Sequence, residues 1–535
     1  MPCLFHDQPF AQRAWRRAEG KRRAEAHLAQ GRAVTPALTK RGAVKIEVPD
    51  RAVIDIGSNT VRLVVYSGPR RAPNVWLNEK VTARLGRDLA ATGAIPEEAE
   101  TLALEGLTRF AAILRDLGIA DVATVATAAS RDASNGPDFI EKVRAIGLEP
   151  RVLTGVEEAE VAASGVMGAF PGAAGVVADL GGGSLELAAI ADGACHEGVS
   201  LPLGTLRLPA LMNEGDEAFR NAVEGHLAKA QWAAEQDGPL YLVGGTWRAL
   251  ASFAMHKAEY PISDPQAFCL TPEEADRIAA RLTDADPDTL TDISDISSSR
   301  AAGLPHAAAM LRIMLARFEP SALVISAWGL REGLLFDRLK NGAKEQDPLL
   351  TAVTHFTTPR GADITNATLT AAWTAEAVDG RNRGSERIRL AATMLTQAAA
   401  RIEPNLRLAH STDWALEKRW LGLDHTGRAM IAQCLRASCG SPKLVADYLR
   451  MADEEQLHRA SAWGLANRLC RKIGAGTRIS LLGSALRRED DRLVLRFDKS
   501  RAYLMADSVE SELANLADWL GLKHEMMVGE PVPAK

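Results

Sequence analysis

Two stretches of the chain end an apolar run in an aspartate and follow it with glycine and small polar residues. The first reads Ala52-Val53-Ile54-Asp55-Ile56-Gly57-Ser58-Asn59-Thr60-Val61-Arg62-Leu63, which predicts strand, tight turn, strand. Such a turn can do chemistry on phosphate. Glycine lets backbone approach a ligand, successive N–H groups with Ser58, Asn59 and Thr60 could bind phosphate oxygens, and Asp55 would face that ligand or its metal. The same residue types also make ordinary hairpin turns. The second stretch, Val177-Ala178-Asp179-Leu180-Gly181-Gly182-Gly183-Ser184-Leu185-Glu186-Leu187, repeats the pattern, with Asp55 matching Asp179, Gly57 matching Gly181 and Thr60 matching Ser184. The repeat predicts two related halves facing one cleft. Three consecutive glycines in a buried α/β core carry an entropic penalty, so Gly181, Gly182 and Gly183 point to close approach of a ligand. A third junction, Gly244-Gly245-Thr246, follows the apolar run ending at Val243 and precedes a helical pattern.

These turns need a large scaffold, and the chain has 535 residues. At about 150 residues per domain that predicts three or four domains. The formal charge of −5 argues against non-specific binding to nucleic acid, so a polyanion surface must be a local basic patch. Six scattered cysteines give no zinc spacing, no apolar run approaches the roughly 20 residues of a membrane span, and no secretory leader is evident, so a cytoplasmic protein is expected.

Residues 1–44, with nine Lys/Arg against three acids, form a solvated basic arm. Residues 45–174 form an α/β domain with helices over 97–117 and 156–167 and strands over 122–126 and 152–154. Residues 175–340 form a second α/β domain with strands over 240–243 and 322–325. A linker at 341–348 leads to a helical domain, 348–473, with helices over 391–402 and 426–437, and then to a small α+β domain, 474–525, closed by a helix over 508–520.

With these motifs the chain resembles the exopolyphosphatase/guanosine pentaphosphate phosphatase (Ppx/GppA) family, on the duplicated, ribonuclease H-like fold shared by actin, Hsp70 and sugar kinases. The resemblance rests on the Asp55 and Asp179 turns, Ala126-Thr127-Ala128-Ala129-Ser130-Arg131-Asp132-Ala133, Gly155-Val156-Glu157-Glu158-Ala159, Gly244-Gly245-Thr246 and Ser326-Ala327-Trp328-Gly329-Leu330-Arg331-Glu332-Gly333, in family order. It implies a cytoplasmic, dimeric hydrolase that releases terminal orthophosphate from inorganic polyphosphate. The alternatives are hydrolysis of pppGpp to ppGpp, or a non-catalytic sensor of either ligand. Glu158 occupies the position of the catalytic base and is favoured for that role on the motif position; the other use of an acid there, open to Glu157 as well, is to stabilise a helix N-terminus. Arg131 fits a phosphate clamp, and Asp55, Asp179 and Glu186 are candidates to hold Mg²⁺.

Two departures stand out. Leu185 replaces a common threonine of the family. The helical domain resembles that of HD phosphohydrolases but has Met394-Leu395-Thr396-Gln397 where a His-Asp pair belongs, leaving only His425, so no second metal-dependent site is expected there. From Arg468 to Arg501 the chain holds ten Lys/Arg against four acids, including Arg471, Lys472, Arg487 and Arg488, a surface along which polyphosphate could run.

Overall fold

The computed structural model describes residues 47–378 and 385–529; the basic arm lies outside the described residues. Strand β1 (Arg51–Ile56) reads as a nearly continuous apolar run because both its faces are covered. Ala52, Ile54 and Ile56 pack on one side with Leu107, Phe110 and Phe139, and Val53 packs on the other with Val64, Tyr66, Val161 and Leu334. Around β1 lie β2 (Val61–Ser67), β3 (Asn74–Val81), β4 (Asp121–Ala126) and β5 (Pro150–Val152), in the order β3-β2-β1-β4-β5. β1 pairs antiparallel with β2 and parallel with β4.

The second sheet contains β6 (Gly175–Leu180), β7 (Leu185–Ala191), β8 (Ala194–Leu201), β9 (Leu240–Val243), β10 (Cys269–Leu270) and β11 (Leu323–Ser326). Its order is β10-β11-β9-β6-β7-β8, with β6 antiparallel to β7 and parallel to β9. Apart from β10, the two mixed sheets have the same order and the same sense at each corresponding pair that flanks the aspartate strand. A third sheet, β12 (Ser484–Glu489), β13 (Arg492–Phe497) and β14 (Lys523–Val528), closes the chain.

Five helices position the site. α1 (Glu97–Asp116) carries Glu97, Glu98 and Glu100 in its first turn and buries Ala103, Leu107, Phe110 and Leu114 at helical spacing. α2 is Ala128–Asp132, α3 is Gly155–Ala169, α4 is Gly245–Lys257 and α5 is Leu330–Asp337. The strand expected over 152–154 ends two residues earlier, at Val152, because Thr154 serves as the N-cap of α3. The segment expected as a linker is pinned: Arg71 donates to the carbonyls of Lys344 (3.1 Å) and Gln346 (3.0 Å), and Asp347 caps the helix Pro348–Thr357.

Beyond it, helices including α6 (His425–Ser438), α7 (Glu454–Lys472) and α8 (Asp507–Trp519) build the C-terminal region. Their apolar residues join those of the second sheet in one continuous core, from Leu180 and Trp247 to Trp420, Trp463 and Leu513. Among the described residues no helix is long and apolar enough to cross a membrane.

Candidate active site

The two hairpins are built alike. In the first, the N–H of Gly57 donates to the carbonyl of Thr60 (3.0 Å); in the second, that of Gly181 donates to Ser184 (2.9 Å). Their cross-strand registers put Asp55 opposite Arg62 and Asp179 opposite Glu186. The turns meet face to face. A Cβ on Gly182 would lie 3.2 Å from Asn59 Cβ, and one on Gly183 would lie 2.8 Å from Ser58 Oγ. The glycines expected to make room for a ligand therefore make room for the opposite hairpin as well.

A cavity of about 220 Å³ lies between the turns. It is lined by Asp55, Gly57, Ser58, Asn59, Thr60, Glu158, Asp179, Gly181, Gly182, Gly183, Ser184, Glu186, Gly244, Gly245 and Thr246, all singled out in the sequence, together with Arg62, Lys80, Arg248, Arg300, Arg331 and Glu332, which were not assigned. Its described lining contains no Phe, Tyr or Trp.

Local structure separates the two adjacent glutamates. Glu157 closes a capping box on α3, its carboxylate accepting from the N–H of Thr154 (2.8 Å) while its own N–H donates to Thr154 Oγ1 (3.2 Å). Glu158 is turned into the cleft and 8% exposed. Arg131, from α2, donates through Nη1 to Glu158 Oε2 (3.3 Å) and to the carbonyl of Leu153 (3.2 Å). Asp132 steadies Arg131 at Nε (3.0 Å) and accepts from Arg207 (3.2 Å), which comes from the loop after β8. Glu186 is buried and accepts from Ser200 Oγ (2.7 Å).

Burial, then the neighbouring Glu186, push the carboxyl of Glu158 well above the usual range, while Arg131 opposes them. Burial likewise lifts Glu186 to about 7 and Asp179 to about 6, and raises Asp55. Arg331 lies 3.9 Å from Asp55. Burial works against its charge, but Glu332 and Asp55 outweigh that and hold its pKa above the ordinary value. Glu332 is itself tied to Tyr66, whose hydroxyl donates to it at 2.8 Å.

Gly244 and Gly329 flank the Asp179 carboxylate, although a Cβ on them would first meet Leu180 O (2.6 Å) and Val243 Cγ1 (2.4 Å). A Cβ at either position would lie 3.3–3.4 Å from the Asp179 oxygens, and Gly244 holds φ of 115°, a conformation that favours glycine. The three proposed metal ligands all line the cavity, yet no set of three or more His, Cys, Asp or Glu side chains among the described residues is grouped to hold a metal ion. Of the unassigned residues, Arg331 and Glu332 lie in the motif that runs from Ser326 to Gly333, and Arg62 occupies, in the first hairpin, the position that Glu186 has in the second.

Arg471, Lys472, Arg487 and Arg488 do not line this cleft. Arg471 donates to the carbonyl of Ser438 (3.3 Å), and Arg487 pairs with Glu376. Arg468 pairs with Glu512 (2.6 Å) and Arg492 with Glu525 (2.8 Å), so acids distant in sequence reduce the charge excess counted from 468 to 501.

The model of the Ppx/GppA phosphatase family matches residues 64–342. Over 304 residues the chain is 29% identical to exopolyphosphatase 1 of Mycobacterium leprae, an alignment covering 54% of this chain and 90% of that one. Exopolyphosphatase 1 of Mycobacterium tuberculosis is 28% identical over 304 residues, covering 54% and 88%. The crystal structure of an exopolyphosphatase from Cytophaga hutchinsonii matches with a TM-score of 0.50 at 24% identity, covering 54% of this chain and 98% of that one, a likeness of fold.

Proposed function

The chain belongs to the Ppx/GppA phosphatase family, and from that premise we propose that it is an exopolyphosphatase, a phosphoanhydride hydrolase that removes terminal orthophosphate from inorganic polyphosphate. The observation that carries the reading is Glu158, buried beside Arg131 and facing two phosphate-type turns in a cleft that also holds four arginines. Glu158, when ionised, takes a proton from an attacking water. The water oxygen bonds to the terminal phosphorus, the bridging P–O bond breaks, and the shortened chain departs as an oxyanion. Arg131, 3.3 Å from Glu158, would exchange that contact for oxygens of the terminal phosphoryl group. The turn amides and the hydroxyls of Ser58, Thr60, Ser184 and Thr246 orient that group.

Mg²⁺ supplies charge neutralisation on phosphate oxygens when bound. That ion takes one or two carboxylates and completes its shell with water and substrate phosphates, a demand the carboxylates lining the cavity can meet. Asp55 and Asp179, half-buried at corresponding strand ends and both lining the cavity, are the residues proposed to hold it. Glu186, already engaged by Ser200, is better placed to orient the second turn.

Hydrolysis of pppGpp would use the same groups. The lack of an aromatic side chain in the described lining leaves a guanine base without a stacking surface and favours the inorganic polymer. Phosphate release from long polyphosphate and from pppGpp tests the reading, with Glu158→Gln as control. Polyphosphate is expected to be the better substrate, and the variant to lose roughly 10²–10⁴-fold in kcat. Unchanged turnover in Glu158→Gln would remove it as the base, and binding without turnover would leave a sensor.

The matching strand orders support duplicated actin-like halves within 45–174 and 175–340, and the helical region, 348–473, reads as a degenerate HD-like domain followed by a small α+β domain, 474–525. A homodimer is proposed, to be tested by mass measurement in solution.

A further inference from the structure

Asp132, which does not line the cavity, ties the two sheets together beside the proposed base. Glu158 does line it, and Arg131 meets it through that carboxylate, its Nη1 standing 3.3 Å from Glu158 Oε2 and 3.2 Å from the carbonyl of Leu153. The Nε edge of the same guanidinium donates to Asp132 Oδ1 (3.0 Å), at the end of α2. Asp132 Oδ2 accepts in turn from Arg207 Nη2 (3.2 Å). Arg207, Asp132, Arg131 and Glu158 therefore form a run of alternating charge that starts on a loop of the second sheet and ends at the base.

That loop is held at both ends and along its length. Leu203 and Leu208 are fully buried in the core of the second sheet. Between them Gly204 lies on the triglycine turn, where a Cβ would stand 2.2 Å from Gly183 C and 2.3 Å from Ser184 N, so no side chain fits. The N–H groups of Thr205 and Leu206 donate to the carbonyls of Gly181 (3.0 Å) and Gly182 (2.9 Å). Leu206 also reaches toward the first hairpin, since its Cδ1 lies 3.5 Å from where a Cβ on Gly86 would be, and Gly86 donates to the carbonyl of Ser58 (2.8 Å). Arg207 thus leaves a backbone whose place is set by both turns. Its side chain is 27% exposed and that of Asp132 37%, an exposure at which an ion pair adds little to stability. What the pair supplies is direction, because a long guanidinium side chain is oriented by how many of its edges are held.

We propose that Asp132 and Arg207 are positioning residues for the Arg131 guanidinium, so that the loop seated on the second turn sets how the cation at the end of α2 faces Glu158. The inference rests on the hydrolase reading for its effect on turnover and goes beyond it in giving two residues outside the cavity a part in the reaction. Neither touches the reacting atoms. Asp132 acts through Arg131, and Arg207 acts through Asp132, an order that the hydrogen bonds themselves impose. A displacement of about 1 Å at a catalytic group can cost roughly two orders of magnitude in rate, so a pair that is weak for folding can still be strong for turnover.

Steady-state hydrolysis of long polyphosphate by a set of variants tests this through coupling rather than through loss alone. Arg207→Gln and Asp132→Asn are each expected to lower kcat at least about tenfold with little change in KM, and the Tm of both to stay level. Arg207→Lys, which keeps the charge, recovers part of the loss. In an Arg131→Gln background the two substitutions are expected to cost less than about twofold, because the group they position is gone. Equal losses with and without Arg131 overturn the proposal, as does full kcat in both Arg207→Gln and Asp132→Asn. If the unmodified protein hydrolyses no polyphosphate, the hydrolase reading falls, and the same variants are compared by calorimetry for affinity to inorganic tripolyphosphate. There the positioning role stands if Arg207→Gln weakens binding at least about threefold only where Arg131 is present. It falls if the weakening is the same without Arg131, if there is none, or if tripolyphosphate does not bind.

Discussion

Glu158 and Glu157 are adjacent in the chain and opposite in use. Thr154 takes Glu157 into the helix cap, where its pKa falls through hydrogen bonds to the Thr154 backbone and side chain, and this leaves Glu158 to the cleft. Burial and Glu186 make the Glu158 carboxylate costly to form, and Arg131 offsets part of that cost. The sign has two consequences. A carboxyl raised in the folded state binds its proton more tightly there than in the unfolded chain, so its contribution to stability is greatest at low pH and declines as pH rises from the unfolded value through the folded one. On the proposed mechanism the ionised form is the active one, so kcat/KM should climb through the same titration. Arg131→Gln removes the cation that favours ionisation. It is expected to move the acidic limb of the kcat/KM profile to higher pH and to lower kcat by roughly two orders of magnitude. A limb that stays in place would mean that Arg131 does not act on Glu158. Much of this was legible in the sequence because the motif residues sit on short local turns. Which glutamate faces the cleft was legible only through the family resemblance, because that choice depends on a cap hydrogen bond rather than on spacing. Arg248 and Arg300 were invisible for a related reason: 52 positions separate them, and only the fold of the second sheet brings both to one turn.

Elements hold these residues in place through contacts that leave no periodic trace. The hairpins at Asp55 and Asp179, the helices α1 and α3 and the strand β9 all follow from apolar spacing and from glycine at the turns, which is why their positions were predictable within a few residues. The crossing of α3 and α5 was not. A Cβ on Gly165 would overlap the carbonyl of Gly329, and one on Gly333 would overlap that of Val161, so two glycines 168 positions apart let these helices touch backbone to backbone. That crossing sets the distance between Glu158, at the start of α3, and Arg331, at the start of α5. Gly333→Ala is expected to destabilise the protein by about 1–3 kcal/mol, the usual cost of overpacking, and to lower kcat by displacing one helix start from the other. Denaturant titration and steady-state kinetics on the same preparation check both. Full activity in a destabilised Gly333→Ala protein would show that the crossing serves packing alone.

At the scale of the whole molecule, the helical region shares its core with the second sheet and is also bolted to it by charge. His425, the residue expected as a leftover of a metal site, instead bridges the two, its Nδ1 3.0 Å from Tyr260 Oη and its Nε2 3.0 Å from the carbonyl of Gln266. Burial, with Arg428 beside it, pushes its pKa down to about 4, so it is a neutral structural imidazole at physiological pH. Next to it Asp264, in the loop before β10, accepts from Arg419 (2.6 Å) and from the fully buried Arg428 (2.7 Å). Burial alone would raise the pKa of Asp264, but hydrogen bonds and charges from the two arginines outweigh it and hold the carboxyl low. This pair lies where sheet and helices meet, and removing one partner strands a buried guanidinium. Asp264→Ala is therefore expected to cost about 3–5 kcal/mol. Because the folded pKa is depressed, the stabilisation is fully present above the unfolded value of about 3.9 and is lost as pH falls through the folded one. The difference in Tm between the unmodified protein and Asp264→Ala, followed by calorimetry, should thus be large near neutral pH and shrink once the pH drops below about 4. A difference that stays constant across that range would mean the carboxylate contributes packing rather than charge, and that the apolar core alone joins the helical region to the catalytic sheets.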